Sequence, residues 1–234
     1  MKNNEYIERN VIINKLIDTY GFEKYLEIGV DDASNFLKIN CKYKDCVDPF
    51  MSFSTDYNNN KNVFLSTEDD IIKYRFIEEN ILTHKMTSDD FFEITDKKYD
   101  LIFIDGDHTE EQVTKDIKHA LFHLEENGRI VIHDSIPFNE ISSLDKRESI
   151  IWNGGVYRSI LKLNTLYNGI RYNTINEDYG VCVISKMKSF KIKSENFNDD
   201  IKYYDIFSKE CISNAALNII SFDEFEELLA NKEI

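Results

Sequence analysis

The sequence has few of the residues that divide chains into separate units. Eight Gly and two Pro are spread over 234 residues, and no stretch is rich in Gly, Pro or Ser. Flexible linkers and low-complexity segments have such compositions, and no internal repeat stands out. We therefore expect a single domain over residues 1–234, with helical additions at about residues 1–20 and about 191–234.

Positive charge is also scarce, and the cysteines form no recognisable pattern. Lys and Arg total 28 against 43 Asp and Glu, which gives a net charge of -15. Such a charge repels phosphate backbones and anionic lipids, so neither nucleic acid nor a membrane is an expected partner. The four cysteines form no CxxC pair, zinc motif or disulfide framework, and we expect buried or incidental thiols. They are Cys41, Cys46, Cys182 and Cys211.

Long apolar runs are absent. No run approaches the roughly 18 residues of a membrane span, and the first ten residues, MKNNEYIERN, are too polar for a signal peptide. We expect a reduced, cytoplasmic setting. Hydrophobic residues nevertheless make up 42% of the chain and aromatic residues 13%, which is enough for a folded core.

Short apolar runs alternate with helical patterns in the first half of the chain. The runs are residues 25–30 (YLEIGV), 46–47 (CV), 101–104 (LIFI) and 129–132 (RIVI). Between the last two, apolar residues recur at helical spacing, and we expect Asn127-Gly128 to close that helix. This order forms a βαβ unit, and continuous apolar runs are typical of strands buried on both faces. The first half therefore predicts an open parallel sheet covered by helices.

The second half predicts a helix after the Gly154-Gly155 turn, and then an antiparallel strand pair. The two strands, residues 170–172 and 179–185, are joined by the turn-forming segment NTINED. Residues 214–230 are predicted to be helical, with Ser221 as the N-cap of the last helix. Together these patterns predict an α/β fold, with an open parallel sheet covered by helices and a two-stranded antiparallel edge.

An acid follows or closes each of the first two strands. Glu27 lies two residues before Gly29, and Asp48 follows Gly29 by 19 residues at the end of the next strand. Nucleotide-binding sheets place an acid at this spacing to accept ribose hydroxyls. The ligand could be a dinucleotide or S-adenosylmethionine (SAM). Because a pyrophosphate turn needs three glycines and this turn has one, the pyrophosphate is disfavoured.

The densest group of polar residues follows the next two strands of the predicted βαβ unit. Asp105, Asp107 and His108 come after one strand, and His133 and Asp134 come after its neighbour. Such oxygen-rich groups suit Mg²⁺, which would lower the pKa of a coordinated hydroxyl while a His or Asp takes its proton. In the alternative interpretation some of these acids only cap the following helix, with Asp107 or Thr109 as the cap. His84, His119 and His123 lie outside the group.

Two further segments have both a functional and a structural interpretation. Ser88 and Asp89 precede the LIFI strand, where they could hydrogen-bond an adenine or simply begin a helix. The segment 152–155 (WNGG) could form a pocket wall or a sugar platform, or could pack in the core.

The motifs YLEIGV, VDP, SDDFF, DLIFIDGDH, IVIHD and WNGGVY, in this order, resemble the class I SAM-dependent methyltransferases. Within that family the chain is similar to the antibiotic and sugar O-methyltransferases, over roughly residues 20 to 185. The resemblance implies an α/β, Rossmann-like three-layer sandwich, whose mostly parallel seven-stranded sheet has an antiparallel C-terminal edge strand. It also implies that Glu27, Gly29 and Asp48 hold SAM. We predict three further SAM-binding residues: Asp105, Ser88 and Asp89.

The resemblance also implies roles for the acidic group. Metal-dependent relatives bind Mg²⁺ at positions that match Asp105 and Asp134, with His133 where some relatives have a second acid. Asp107 is the implied catalytic base, with His108 as the alternative. Two departures stand out: residues 30–33 (VDDA) replace a glycine-rich turn, and His133 replaces a carboxylate.

The expected function is therefore SAM-dependent O-methylation, with or without Mg²⁺, of a small-molecule or sugar acceptor, by a chain that could form a homo-oligomer. Two alternatives stay open. One is a ligand-binding or scaffold protein that keeps the fold without turnover. The other is a nicotinamide-dependent sugar oxidoreductase, which the single glycine and the absence of a YxxxK-like pair argue against.

Overall fold

The computed structural model describes residues 6–55, 62–66, 75–77, 80–193 and 214–234. The helices are α1 (Arg9–Tyr20), α2 (Ser88–Ile94), α3 (Glu110–His123), α4 (Val156–Leu166), α5 (Asn214–Leu217) and α6 (Phe222–Ala230). The strands are β1 (Lys24–Ile28), β2 (Tyr43–Val47), β3 (Phe53–Thr55), β4 (Asn62–Ser66), β5 (Arg75–Ile77), β6 (Ile81–His84), β7 (Tyr99–Ile104), β8 (Leu124–Ile132), β9 (Tyr167–Ile175), β10 (Val181–Ile192) and β11 (Ile219–Ile220). None of the described helices has the length and apolar character needed to cross a membrane.

Eight strands form the main sheet, in the order β11-β9-β10-β8-β7-β1-β2-β6. The pairs from β6 through β8 are parallel, as is the pair of β11 with β9. Strand β10 is antiparallel to both of its neighbours, β8 and β9. The predicted α/β fold is confirmed, and the two-residue β11 brings the predicted seven strands to eight. Strands β3 to β5 form a separate antiparallel sheet.

Helices cover both faces of the main sheet, which gives the three predicted layers. Leu26, Ile102 and Ile130 pack with α2, α3 and α4 on one face. Residues of the same strands with the opposite side-chain direction, such as Tyr25 and Leu101, pack with α1 and α6 on the other. Because the central strands are buried on both faces, their sequences are continuous apolar runs.

The crossover helix α3 lies where its periodicity predicts, but it ends earlier. Thr109 is its N-cap and accepts a hydrogen bond from the Gln112 backbone N–H. The prediction that Asn127-Gly128 closes the helix is wrong, because α3 ends at His123 and these two residues lie within β8. Gly128 is needed there for close packing, since a Cβ atom on it would lie 2.6 Å from the Asp100 carbonyl oxygen.

The C-terminal segment is only partly helical. The predicted helix over residues 214–230 is interrupted by Asn218, whose φ of +49° ends α5, and by β11. The backbone leaves the helix here because Ile219 and Ile220 pair in parallel with β9. Ser221 and Glu224 form the predicted capping box at the start of α6.

The cysteines in the described ranges are free thiols. Cys46 and Cys182 are buried and Cys41 is half-buried. Cys211 lies outside the described residues.

Candidate functional site

The candidate site lies at the carboxyl ends of the central strands. Because β7 and β8 pair in parallel, with Ile104 opposite Ile132, the residues that follow them are adjacent. Ligands of open parallel sheets bind at this edge. The structure therefore brings together Asp105, His108, His133 and Asp134, as the sequence predicts.

Two carboxylate oxygens and two imidazole nitrogens face each other at the centre of the site. His133 Nδ1 lies 3.2 Å from Asp105 Oδ1 and 3.3 Å from Asp134 Oδ2. His108 Nε2 lies 3.5 Å from each of the same two oxygens. Among the described residues, Asp105, His108 and Asp134 form a group whose possible metal-binding atoms all lie within 4.8 Å of one another. We call Asp105, His108, His133 and Asp134 the central cluster.

The WNGG segment holds the central cluster in place from one side. The His108 Nδ1–H donates to the Trp152 carbonyl oxygen at 2.7 Å, and the two rings stack at 5.1 Å. The Asn153 side-chain amide donates to Asp134 Oδ1 at 2.6 Å. Gly154 comes so close to His108 that a Cβ atom on it would lie 2.2 Å from the His108 carbonyl oxygen. The segment is therefore a support of the site as well as part of its wall.

Arg9, at the start of α1, and Asp178, in the turn between β9 and β10, extend the cluster on its other side. Arg9 Nε lies 3.5 Å from Asp105 Oδ2, and Arg9 Nη1 lies 3.2 Å from Asp178 Oδ2. His133 Nε2 lies 3.4 Å from Asp178 Oδ1. Sequence reasoning missed both residues, because no local pattern connects positions 9 and 178 with the motifs after β7 and β8.

These contacts determine which groups carry charge. Burial opposes ionisation of Asp105, but the charge of His133, bonds from both imidazoles and the charge of Arg9 outweigh it and lower the pKa of Asp105. Burial likewise favours a neutral His133, yet Asp105 and the bonds to Asp134 and Asp178 raise the pKa of His133 well above its ordinary value. The buried carboxylates are therefore compensated by cations within the protein.

Asp107 lies outside the central cluster. Its side chain is exposed, and its carboxylate accepts a hydrogen bond from the Thr109 backbone N–H at 2.7 Å. Of the two residues predicted as the catalytic base, His108 is thus the one that the structure brings to Asp105 and Asp134.

The end of β1 packs tightly against the end of β7. Gly29 has a φ of +83°, and a Cβ atom on it would lie 2.2 Å from the Asp105 carbonyl oxygen. Glu27 is 1% exposed and accepts hydrogen bonds from the Tyr25 hydroxyl and the Asn35 amide. Burial raises the pKa of Glu27 to about 8. Glu27 and Gly29 therefore shape the turn from within the protein.

The turn of residues 30–33 (VDDA) contains backbone conformations that glycine adopts more readily than other residues. Asp31 has a φ of +41° and Ala33 a φ of +62°, both in the left-handed region. Asp48 fixes this turn, since its Oδ2 accepts from the Asp31 N–H at 3.0 Å and its Oδ1 from the Phe50 N–H at 2.7 Å. The turn conformation is therefore present without the glycines.

Ser88 and Asp89 form the first turn of α2, next to α3. The Ser88 hydroxyl donates to Asp116 Oδ1 at 2.6 Å, and the Gln112 amide reaches Ser88, Asp89 and Asp116 at 3.1 to 3.2 Å. Thr87, not Ser88, is the N-cap of this helix. Asp116 and Gln112 were missed because their helical spacing alone does not show that they face α2.

The three remaining histidines lie away from the central cluster. His119 and His123 pack on Phe92, with ring centroids 5.1 and 4.9 Å apart. His84 lies 3.8 Å from Asp45. All of these contacts are with residues outside the central cluster.

Comparison with known proteins identifies a family match and solved structures of similar fold. Residues 27–135 match the family model described as a methyltransferase domain. The O-methyltransferase TomG from Streptomyces achromogenes, solved in complex with SAM, is 11% identical, with a TM-score of 0.52 over 76% of this chain and 79% of that chain. Cofactor-bound Rv0187 from MTB is 11% identical, with a TM-score of 0.53 over 80% of this chain and 83% of that chain. No curated protein matches the sequence.

At this identity the structural likeness concerns the fold alone. Taken with the family match, which spans the turn after β1 and both halves of the central cluster, it confirms the resemblance that the motifs indicated.

Proposed function

We propose that this chain, which resembles the class I SAM-dependent methyltransferases in motifs and in fold, transfers the methyl group of SAM to an oxygen atom of a small molecule or sugar. The observation that carries the proposal is that the residues matched by the family model include those that lie together at one edge of the sheet. Residues 27–135 contain the turn after β1, the acid after β2 and the central cluster. A binding site for donor and acceptor at this edge follows from the parallel topology.

The residues at this edge suit SAM. The donor carries a positive sulfonium and a positive amino group. The acids Asp31 and Asp32 lie in the turn after β1, Asp48 accepts a hydrogen bond from the Asp31 N–H, and the Asp105 backbone packs against Gly29. Asp48 is held in place by two backbone N–H groups, and a carboxylate has acceptor capacity left for ribose hydroxyls. Ser88 and Asp89 lie at the start of α2, where they would contact the adenine. Glu27 is enclosed and supports the turn from inside.

Methyl transfer needs an aligned acceptor oxygen and a group that takes its proton. His108 is the better placed of the two predicted bases. Its Nδ1–H is held by the Trp152 carbonyl, so Nε2 faces the site, and Asp105 and Asp134 would stabilise the imidazolium that forms. Asp107, exposed and engaged with the Thr109 N–H, is the second choice.

A divalent cation fits the group formed by Asp105, His108 and Asp134 in number and type of ligands. His108 would then be a ligand and not the base, and the cation would lower the pKa of an acceptor hydroxyl. Two of the three ligands are the carboxylates that Mg²⁺ prefers, whereas the third is an imidazole nitrogen.

Exposed apolar side chains beside the central cluster suit an organic acceptor. Phe138 is 63% exposed and contacts Tyr179 edge to face at 6.4 Å. Trp152, half-buried on His108, adds a third ring. Aromatic surfaces of this kind pack against sugar faces and other rings, which supports a small-molecule or sugar acceptor.

Calorimetric titration with SAM tests the proposal, with NAD and NADP as comparison ligands. We expect SAM to bind and the nicotinamide cofactors not to bind. Asp48→Asn should bind SAM at least tenfold more weakly, because it removes the charge while keeping the shape. Asp18→Asn, an acid of α1 that is not part of the site, is the matched control and should bind as the wild type does.

The result for SAM decides between the open alternatives. Absence of SAM binding would reject the proposal, and binding of NAD or NADP would favour the oxidoreductase. SAM binding without transfer of a labelled methyl group to any pool of sugars, phenols or other hydroxyl compounds would favour the scaffold protein.

A further inference from the structure

We propose that a cavity at the amino ends of β1, β2, β6 and β7 binds a small organic anion, that is, a molecule with an apolar body and one acidic group. The cavity has a volume of about 490 Å³, which is the size of a small-molecule site. We call it the amino-end cavity. The described residues that line it are Lys24, Tyr43, Asp45, Asn80, Leu82, Lys97, Lys98 and Tyr99.

The strand register places the wall of the cavity on one face of the main sheet. Lys24 of β1 pairs with Tyr43 of β2, and Asp45 of β2 pairs with Leu82 of β6. Paired residues share a side-chain direction, as does every second residue along a strand, so these four side chains lie on the same face. None of the described lining residues belongs to a helix. The cavity is therefore a part of this face that the described helices do not cover.

The amino-end cavity is separate from the candidate site, which lies at the carboxyl ends of the strands. Lys24 begins β1 and Gly29 follows its end. Five residues of extended chain span about 15 Å, so an occupant of the cavity and SAM would not overlap. The inference therefore does not rest on the proposed function.

Apolar side chains of the cavity suit the body of an organic ligand. Tyr43 is 43% exposed and Leu82 is 48% exposed, although both belong to strands of the main sheet. Tyr99 is buried behind them and contributes to the same lining. Exposed apolar side chains that share a concave surface are typical of ligand sites.

The only acid among the described lining residues is neutralised by its neighbours. Asp45 Oδ2 accepts from Lys97 Nζ at 2.8 Å and from the Tyr99 hydroxyl at 2.7 Å. Burial opposes ionisation of Asp45, but the bonds from His84, Lys97 and Tyr99 outweigh it and lower the pKa of Asp45. The carboxylate is thus part of the wall, and its charge is compensated before any ligand binds.

Lys98 and Asn80 are the donors for the acidic group of the ligand. Lys24 pairs with Glu125 at 2.9 Å. Within the described ranges, however, Lys98 forms no ion pair and the Asn80 side chain forms no hydrogen bond. An ammonium group and an amide N–H together provide charge and directed hydrogen bonds for a carboxylate, sulfonate or phosphate. A cation of the same shape would instead be repelled by Lys98.

Calorimetric titration with naphthoate and with naphthylmethylamine tests the proposal, because the two probes share a ring system and carry opposite charges. We expect one equivalent of naphthoate to bind, at least tenfold more tightly than the amine. The net charge of the chain is -15 and attracts cations non-specifically, so a preference for the anion indicates a local site. An excess of SAM should leave the affinity for naphthoate unchanged.

Variants assign the binding to the amino-end cavity. Lys98→Glu should weaken naphthoate at least tenfold, and Lys98→Arg should restore most of the affinity because it keeps the charge. Leu82→Asp places an acid on the apolar wall and serves as the second variant. Both positions are exposed, so neither change disturbs the core. Lys232→Glu, at an exposed position that does not line the cavity, is the matched control and should bind as the wild type does.

Four results would overturn the inference: no saturable binding of naphthoate at millimolar concentration, equal binding of the amine, unchanged binding in both Lys98→Glu and Leu82→Asp, or displacement of naphthoate by SAM. The last result would assign naphthoate to the candidate site. Because the titrations need no methyl transfer, binding of naphthoate without binding of SAM would keep this inference and reject the proposed function. Binding of SAM without binding of naphthoate would do the reverse.

Discussion

Asp116 is a carboxylic acid almost completely enclosed by protein. Its side chain is 1% exposed, and its Oδ1 accepts hydrogen bonds from the Ser88 hydroxyl and the Gln112 amide. Burial raises the pKa of Asp116 to about 7, although the two hydrogen bonds lower it in part. The residue is therefore neutral in the folded protein over a pH range in which it is ionised in the unfolded chain.

This raised pKa predicts how stability depends on pH. Between the ordinary pKa of 3.8 and about 7, the folded state binds a proton that the unfolded state has lost. The contribution of Asp116 to stability is therefore largest below about pH 4 and is lost as the pH rises toward 7. Asp116→Asn keeps the acceptor oxygen and cannot ionise. Its stability relative to the wild type should rise by on the order of 2 kcal/mol between pH 5 and pH 8.

Urea unfolding at the two pH values measures this difference. Glu111→Gln removes the same charge from an 82% exposed position of α3 and should show no such pH dependence. Glu27, whose pKa is also raised, is present in all three proteins and does not affect the comparison. An equal response of the two variants would show that burial of Asp116 is not the cause.

At the scale of elements, the contact between the ends of β1 and β7 depends on Gly29. Both its φ of +83° and the 2.2 Å approach of a Cβ atom to the Asp105 carbonyl exclude a side chain. The glycine of the first motif thus has a packing role that is independent of any ligand.

Gly29→Ala should therefore lower the free energy of unfolding by about 3 kcal/mol or more, combining a left-handed backbone with overpacking. Gly21→Ala is the control, since Gly21 has a φ of +69° but nothing within 4 Å of its Cβ position. It should lose only about 1 kcal/mol. Chemical denaturation without ligand measures both, and equal losses would contradict the packing role.

At the scale of the whole molecule, the site joins segments that are far apart in the chain. Arg9 of α1 contacts Asp105 after β7 and Asp178 between β9 and β10, and the Tyr6 hydroxyl donates to Asp178 at 2.5 Å. The N-terminal segment is therefore part of the site and not only an addition to the domain.

Arg9→Ala should reduce the free energy of unfolding by about 2 kcal/mol, because it removes one of the two cations, Arg9 and His133, that Asp105 and Asp178 share. Lys15→Ala, which breaks the exposed pair with Glu226 in the same helix, should change it by less than about 0.5 kcal/mol. In a double-mutant cycle, Arg9→Ala with Asp178→Asn should lose less than the sum of the single variants. Strict additivity would mean that the two residues do not interact.

The sequence alone determined the features that depend on neighbours along the chain. Apolar runs identified β1, β7 and β8, and helical spacing identified α3 and α4. Both signals consist of the spacing of apolar residues within one short segment of the chain. The acids and histidines after β1, β2, β7 and β8 followed from the same pattern, since parallel strands end at one edge. The Ser221 cap was equally local.

Only the tertiary structure decided which distant groups meet. Arg9, Asp178 and Asp116 reach their partners through packing between elements, which no local pattern encodes. Three further features likewise depend on how the loops pack. His108, instead of the predicted His133, lies with Asp105 and Asp134 in the group with metal-binding geometry. Asp107 is exposed, and the backbone at Asp31 and Ala33 is left-handed. The β11 pairing ended a predicted helix for the same reason: hydrogen bonds to a strand more than 40 residues earlier in the chain outweighed local helical preference.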